Sequence, residues 1–178
     1  MPLVNDMESH KTMKMKNEIK QVDDYIFKDW DNKDVRLSSL FGSNKDLILI
    51  HNMGRQCPYC TMWPDGFNGV LDHLKDRAAF VVVSPDSPQT QKAFASSREW
   101  KFKMLSAKGS SFNKDMGFES KDEAQPGVSV FQKTKDGKIL RVAKDEFGPG
   151  DHYCVVWHFF DLLPNGANGW SPKFKYEK

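Results

Sequence analysis

Cysteine is scarce in this chain: there are three in 178 residues, and two of them share a single C-x-x-C. So few cysteines look unlike the disulfide framework of a small secreted protein and more like intracellular thiol chemistry. Long apolar runs are missing too, with no stretch near the roughly eighteen residues of a membrane-spanning helix. The start, Met1-Pro2-Leu3-Val4-Asn5-Asp6-Met7-Glu8, has neither the basic opening nor the apolar centre of a secretion signal, so the chain as given is expected to be cytoplasmic. A surplus of one charge is also lacking. The 26 basic residues are scattered among 24 acidic ones, net charge is +2, and no run of like charge makes a patch for nucleic acid or a membrane. No internal repeat or second domain is legible.

What is present suits one packed domain: 39% of residues are hydrophobic and 12% aromatic, with charged residues at an ordinary 28%. The chain is organised around Asp46 to Trp63. Leu47-Ile48-Leu49-Ile50 is a short apolar run of the kind buried on both faces of a sheet. A bend, Met53-Gly54-Arg55-Gln56, follows, and Cys57-Pro58-Tyr59-Cys60 then opens a helix. Pro58 suits the first helical position, where its missing N–H costs nothing, so Cys57 falls at the cap. A sulfur there faces unpaired N–H groups and the positive end of the helix dipole, and both favour thiolate. A cysteine with pKa near 8.5 is about 3% ionised at pH 7, whereas one shifted to about 7 is half ionised. Cys60, one turn below, is near enough to close a disulfide yet shielded by the helix. A C-x-x-C alone also fits half a zinc site or an inert structural pair; its place after a buried strand favours redox chemistry.

Along the rest of the chain, residues 1–22 are polar and hold Met1, Met7, Met13 and Met15. A loosely docked helix over Met7 to Ile19, or a frayed arm, is expected there. Tyr25 to Lys28 and Val35-Arg36 read as a hairpin, followed by a short turn over Leu40-Phe41 that Gly42 ends. The helix from Cys57 should run to about Lys75, kinked at Pro64, with Val70, Leu71 and Leu74 inward. Ala79 to Ser84 is a second buried strand, and a helix over Gln89 to Trp100 places Phe94 inward. Together these form a right-handed β-α-β unit. Lys103 to Gly117 reads as irregular apart from a turn near Phe112 to Met116. Gln125-Pro126-Gly127 introduces strands Val128 to Lys133 and Lys138 to Ala143, joined as a hairpin by Lys135-Asp136-Gly137. A closing helix spans Asp151 to Leu163, with Val155, Val156, Phe159, Phe160 and Leu163 available to cover the sheet. The domain is expected over 23–164, with a tail over 165–178.

This order of elements, with Tyr25-Ile26-Phe27, Leu37 to Phe41, His51-Asn52-Met53, Cys57-Pro58-Tyr59-Cys60, Asp65-Gly66-Phe67, Val83-Ser84-Pro85, Trp100, Ser110 to Asn113, Pro126 to Phe131 and Asp161 to Pro164, resembles the thioredoxin-like superfamily. Within it, the chain resembles a branch of predicted dithiol-disulfide oxidoreductases related to the alkyl hydroperoxide reductase and thiol-specific antioxidant group. The resemblance runs from about residue 24 to 166. It implies an α/β fold with a mixed central sheet, flanking helices and an N-terminal β-hairpin extension.

It also implies Cys57 as nucleophile and Cys60 as resolving thiol, supported by Pro58, Tyr59, Arg55 and Trp63. The implied substrates are disulfides of proteins or small thiols, with a separate electron donor, no cofactor and no metal. Pro126 matches a cis-proline whose loop, with Gln125, packs beside the sulfurs and binds substrate backbone. His51 stands where thioredoxins carry a buried acid that takes the resolving thiol's proton; histidine can do the same, or it is a satisfied core residue. Pro58-Tyr59 is the glutaredoxin dipeptide, implying a potential nearer about −200 to −230 mV than the roughly −270 mV of thioredoxin. Peroxide reduction of the peroxiredoxin kind is the alternative within enzymes: there a threonine stands three residues before the peroxidatic cysteine, and Gly54 holds that place here, while Arg55 remains able to stabilise a thiolate. Cys154 and His158, four apart, complete a zinc set with Cys57 and Cys60 if the last helix packs over the site, although in this fold that helix normally covers the sheet away from it. Otherwise Cys154 is a small buried hydrophobe or a regulatory disulfide partner. A redox-inactive interaction module is the alternative outside enzymes.

Overall fold

The computed structural model of the protein describes residues 19–177. The helix expected over Met7 to Ile19 lies outside them save for Ile19. The apolar run forms strand β4 (Asp46–His51), and its alternation decides which side of the sheet each residue serves. Leu47 and Leu49 join one buried cluster with Phe27, Phe112 and Phe131, whereas Ile50 joins another with Cys60, Trp63 and Val82. The sheet therefore carries a core on each face.

The eight-stranded sheet is mixed. β4 pairs in parallel with β5 (Ala79–Ser84), which pairs in parallel with β6 (Lys103–Ser106), while β4 pairs antiparallel with β9 (Gly127–Lys133). β10 (Ile139–Glu146) continues beyond β9, and the hairpin of β2 (Ile26–Lys28) and β3 (Asp34–Arg36) extends the other edge beside β6. Lys20–Val22, inside the expected N-terminal arm, forms edge strand β1 along β10. A separate ribbon joins β7 (Glu119–Ser120) to β8 (Glu123–Ala124).

Two β-α-β units follow one another rather than the single one expected, because Lys103–Ser106 is a strand and not irregular. The order β4-β5-β6 steps in one direction, so right-handed crossovers place both connections on the same face. These connections are α1 (Tyr59–Gly69) with α2 (Leu71–Arg77), and α3 (Pro88–Ser97). α3 ends three residues before the expected Trp100. The other face is covered by the 3-10 turn Leu37–Phe41, by α4 (Phe112–Met116) and by Phe118.

Three helix expectations need correction. The helix expected as one from Cys57 to about Lys75 is two: α1 runs on through Pro64, and the interruption comes at Val70, with φ −112°, between α1 and α2. Val70, read as inward, is 46% exposed, because the break turns it out while Leu71 stays buried. The last helix, α5 (Val155–Asp161), is shorter than expected and turned differently: Trp157 is its buried residue, and Val155 and Phe159 are 61% and 63% exposed. It packs on the face that carries α1, with the Trp157 ring 6.1 Å from that of Tyr59, and not on the face away from the cysteines. The tail returns to α3, where Arg98 Nη1 donates to the Phe174 carbonyl at 2.8 Å.

Candidate active site

The bend after β4 is built by local chemistry. Gly54 has φ +105°, which glycine adopts without strain, and a Cβ there would stand 2.9 Å from the Asp86 carboxylate. Asp86, on the turn between β5 and α3, accepts the Arg55 N–H at 2.8 Å. The bend is thus tied to the neighbouring strand's end. Pro58 already has helical angles, φ −62° and ψ −37°, so Cys57 occupies the capping place one residue earlier.

There the Cys57 sulfur accepts the N–H of Cys60 at 3.1 Å, and its carbonyl accepts the Thr61 hydroxyl at 3.0 Å. Cys57 is half-buried, Cys60 is 1% exposed, and both are free thiols. A hydrogen bond from the Cys60 thiol, opposed by burial and helped by the N–H groups of Cys60 and Tyr59, lowers the Cys57 pKa to about 7. The same thiol contact, followed by burial, pushes Cys60 strongly upward. One sulfur is therefore only half-buried and ready to ionise, while its neighbour is buried and held protonated.

The remaining expected residues separate. Tyr59 and Trp63 pack together at 6.2 Å, and Trp63 continues to Phe147 at 5.4 Å. They form the wall beneath the cysteines. The Arg55 side chain turns away to line an open groove of about 500 Å³ with Gln89, Thr90, Ala93, Phe94 and Ser97 on α3, and it is not among the groups that lower the Cys57 pKa. Pro126 is not the expected cis-proline, since no peptide among the described residues is cis. The Pro126 carbonyl accepts the Phe147 N–H at 3.1 Å, and the Gln125 N–H donates to the Phe118 carbonyl at 2.8 Å. His51 pairs with Gly127, so Pro126 still falls at the sheet end from which the active-site bend departs.

His51 cannot serve the resolving thiol from where it lies. It shares the parity of Leu47 and Leu49, and its ring sits between Phe112 and Phe118 on the face opposite Cys60. Nε2 lies 2.9 Å from the Ser129 hydroxyl and Nδ1 3.3 Å from Asn113 Oδ1, so both nitrogens are satisfied. Burial lowers its pKa to about 3 despite the Asn113 bond, and the ring is neutral. The zinc set is not assembled either: among the described residues no three His, Cys, Asp or Glu side chains converge. Cys154 is buried in the cluster of Trp157 and Cys60, burial pushes its thiol up, and His158 stacks on His152.

Asn52 was not singled out as a site residue. It is 4% exposed, Nδ2 donates to the Cys60 carbonyl at 2.6 Å, and Oδ1 accepts the Gly54 N–H at 2.7 Å. Its mark in the sequence is its place alone, an amide side chain directly after the apolar strand and two residues before Gly54.

Residues 12–176 match the family described as "Bacterial protein of unknown function (DUF899)". The chain belongs to that family. This DUF899 member is 28% identical over 130 residues to a chloroplastic peroxiredoxin Q of Sedum lineare, across 72% of this chain and 69% of that one. A chloroplastic peroxiredoxin Q of Populus jackii is also 28% identical over 130 residues, but there the chain spans only 60% of the relative's length. Among solved structures, peroxidoxin BcpB from Mycobacterium tuberculosis superposes with a TM-score of 0.59 at 22% identity, covering 73% of this chain and 85% of that one. Reduced Prx3 from Vibrio vulnificus, solved in complex with H2O2, gives 0.61 at 17% identity, covering 74% and 88%. The fold of this DUF899 chain is thus the thioredoxin-like fold in its peroxiredoxin form, and its named relatives belong to a class of thiol oxidoreductases.

Proposed function

We propose that this protein is a thiol-disulfide oxidoreductase in which Cys57 attacks and Cys60 resolves. The observation that carries it is the pairing of a half-buried sulfur, which accepts the Cys60 N–H at 3.1 Å and has its pKa lowered to about 7, with a buried protonated thiol. The Cys57 thiolate attacks one sulfur of a substrate disulfide, forming a mixed disulfide and expelling the other half as a thiolate. The Cys60 thiol then gives up its proton, attacks the Cys57 sulfur and expels the second thiol. Two electrons pass to the substrate, and a separate dithiol donor returns them. The substrates are disulfides of proteins or small thiols, and Tyr59 and Trp63 support the pair.

A second reading is peroxide reduction, favoured by the names of the relatives and the form of the fold. Here the Cys57 thiolate attacks one peroxide oxygen to give a sulfenic acid and expel an alkoxide or hydroxide, which takes up a proton. Cys60 then condenses with the sulfenic acid to a disulfide and releases water. Gly54, three residues before Cys57, has no hydroxyl to orient a peroxide, which places disulfides first. The test compares kcat/KM for the glutathione mixed disulfide of a peptide with that for hydrogen peroxide, using dithiothreitol as donor. Faster turnover of the disulfide supports the first reading; faster turnover of peroxide replaces it with the second. Activity at neither substrate, unchanged by Cys57→Ser, leaves a non-catalytic module.

A further inference from the structure

An α-helical carbonyl is paired by the N–H four residues on. For Cys60 that residue is Pro64, which has no N–H to give. The resolving cysteine is therefore left with an orphan acceptor in the first turns of α1. The orphan is not left unpaired. Asn52, whose own N–H continues the β4–β5 ladder by donating to the Val83 carbonyl at 2.9 Å, sends Nδ2 across to the Cys60 carbonyl at 2.6 Å. Its Oδ1 meanwhile holds the Gly54 N–H at 2.7 Å, so one buried amide joins the strand end, the bend and the helix. This also accounts for the helix running past Pro64 without a break, since the bond that proline removes is replaced from outside.

The consequence for Cys60 is that both of its backbone polar groups are held from outside the helical ladder: its N–H by the Cys57 sulfur and its C=O by Asn52. The residue cannot shift without straining one of the two. We propose that Asn52, acting with Pro64, is a positioning residue for the redox pair: it fixes Cys60 so that its N–H and thiol both point at the Cys57 sulfur and hold the thiolate. Asn52 touches no reacting atom. This rests on the oxidoreductase reading above and adds the residue that sets its poise.

The test is a double-variant cycle in the full chain with Asn52→Ala, Pro64→Ala and both together. It follows the pH dependence of Cys57 alkylation by iodoacetamide and the dithiol–disulfide equilibrium against glutathione. Asn52→Ala should raise the Cys57 pKa by about one unit, so that the thiolate fraction at pH 7 falls from about a half to about a tenth, roughly fivefold. Losing thiolate stabilisation destabilises the reduced form, so the pair becomes more reducing. Pro64→Ala restores a helical donor at residue 64, so adding Asn52→Ala to it should cost less than half of that shift. Should Asn52→Ala not fold, Asn52→Ser, too short to reach the Cys60 carbonyl, takes its place. A variant that loses stability while its thiol pKa and equilibrium stay at wild-type values overturns the positioning role and leaves the proposed function standing. So does a shift of the same size in both backgrounds. A wild-type Cys57 that titrates at an ordinary thiol's pH overturns both together.

Discussion

The backbone nitrogen of Cys60 lies 3.1 Å from the Cys57 sulfur and donates its hydrogen to it. With the thiol bond from the same residue, this lowers the Cys57 pKa from 9.0 to about 7. Alkylation of the reduced protein should therefore rise with a midpoint near pH 7 and then level off, and Cys57→Ser should abolish that phase. Cys60→Ala removes the largest cause of the shift and should move the midpoint up by about one unit. The sign for stability follows. Because ionisation is easier in the folded state, the contribution is complete above the unfolded pKa and is lost as pH falls through about 7.

Thiol accessibility gives a second expectation. Cys57 is half-buried, whereas Cys60 and Cys154 are 1% and 6% exposed. One thiol per chain should react quickly with an aromatic disulfide reagent at pH 7.5, and the Cys57–Cys60 disulfide should follow as Cys60 displaces the reagent's thiol. The third thiol should appear only on unfolding. Cys154→Ser should leave the fast phase unchanged. Two fast, independent thiols would contradict the buried placement of Cys60.

These two expectations rest on features that were legible in the chain. The apolar run before the bend, proline after the first cysteine and Asp136-Gly137 in the hairpin are local signals, and the structure places β4, the cap and the β9–β10 turn accordingly. Side-chain partnerships were not legible. The sequence leaves His51 two readings, a proton acceptor beside the cysteines, as the resemblance implies, or a satisfied core residue; strand alternation puts it with Leu47 and Leu49 and selects the second, while the right-handed crossover puts α1 on the other face. β6 is only four residues long and begins with the exposed Lys103, so it had no apolar run to announce it. The inward face of α5 depends on Trp157 meeting Tyr59, a contact between residues almost a hundred apart. Asn52 acquires its partner only because Pro64 leaves one free.

His51 supplies a pH dependence of stability distinct from that of Cys57. Its pKa falls from 6.5 to about 3, chiefly through burial, so the unfolded chain binds the extra proton in that interval and the folded one does not. The preference for the folded state is complete above pH 6.5 and is lost as pH falls towards 3. Urea unfolding should therefore show about 1.5 kcal/mol less stability at pH 5 than at pH 6.5, a window above most carboxylate titrations. His51→Gln should flatten this decline even if it lowers stability at pH 7. A wild-type and a His51→Gln protein with parallel declines would show that His51 charges in place.

Gly127 tests the packing that holds His51 away from the cysteines. It pairs with His51 across β4 and β9, and the Phe118 ring lies over it, stacked 3.9 Å from the imidazole. A Cβ at this position would meet the edge of that ring and stand 2.5 Å from the Asp145 carbonyl oxygen. The carbonyl belongs to β10 and cannot swing aside as a flexible side chain does. Phe118 is fully buried, with the Lys144 ammonium 5.6 Å from its ring centre. Gly127→Ala must therefore displace either the β9–β10 ladder or the stack, at a cost of about 3 kcal/mol in urea unfolding. Because Phe118 and His51 face away from Cys57, folded Gly127→Ala should keep an alkylation midpoint near pH 7. A midpoint that moved with the stability would mean that the two faces of the sheet are coupled through β4, and the separation drawn between His51 and the redox pair would fail.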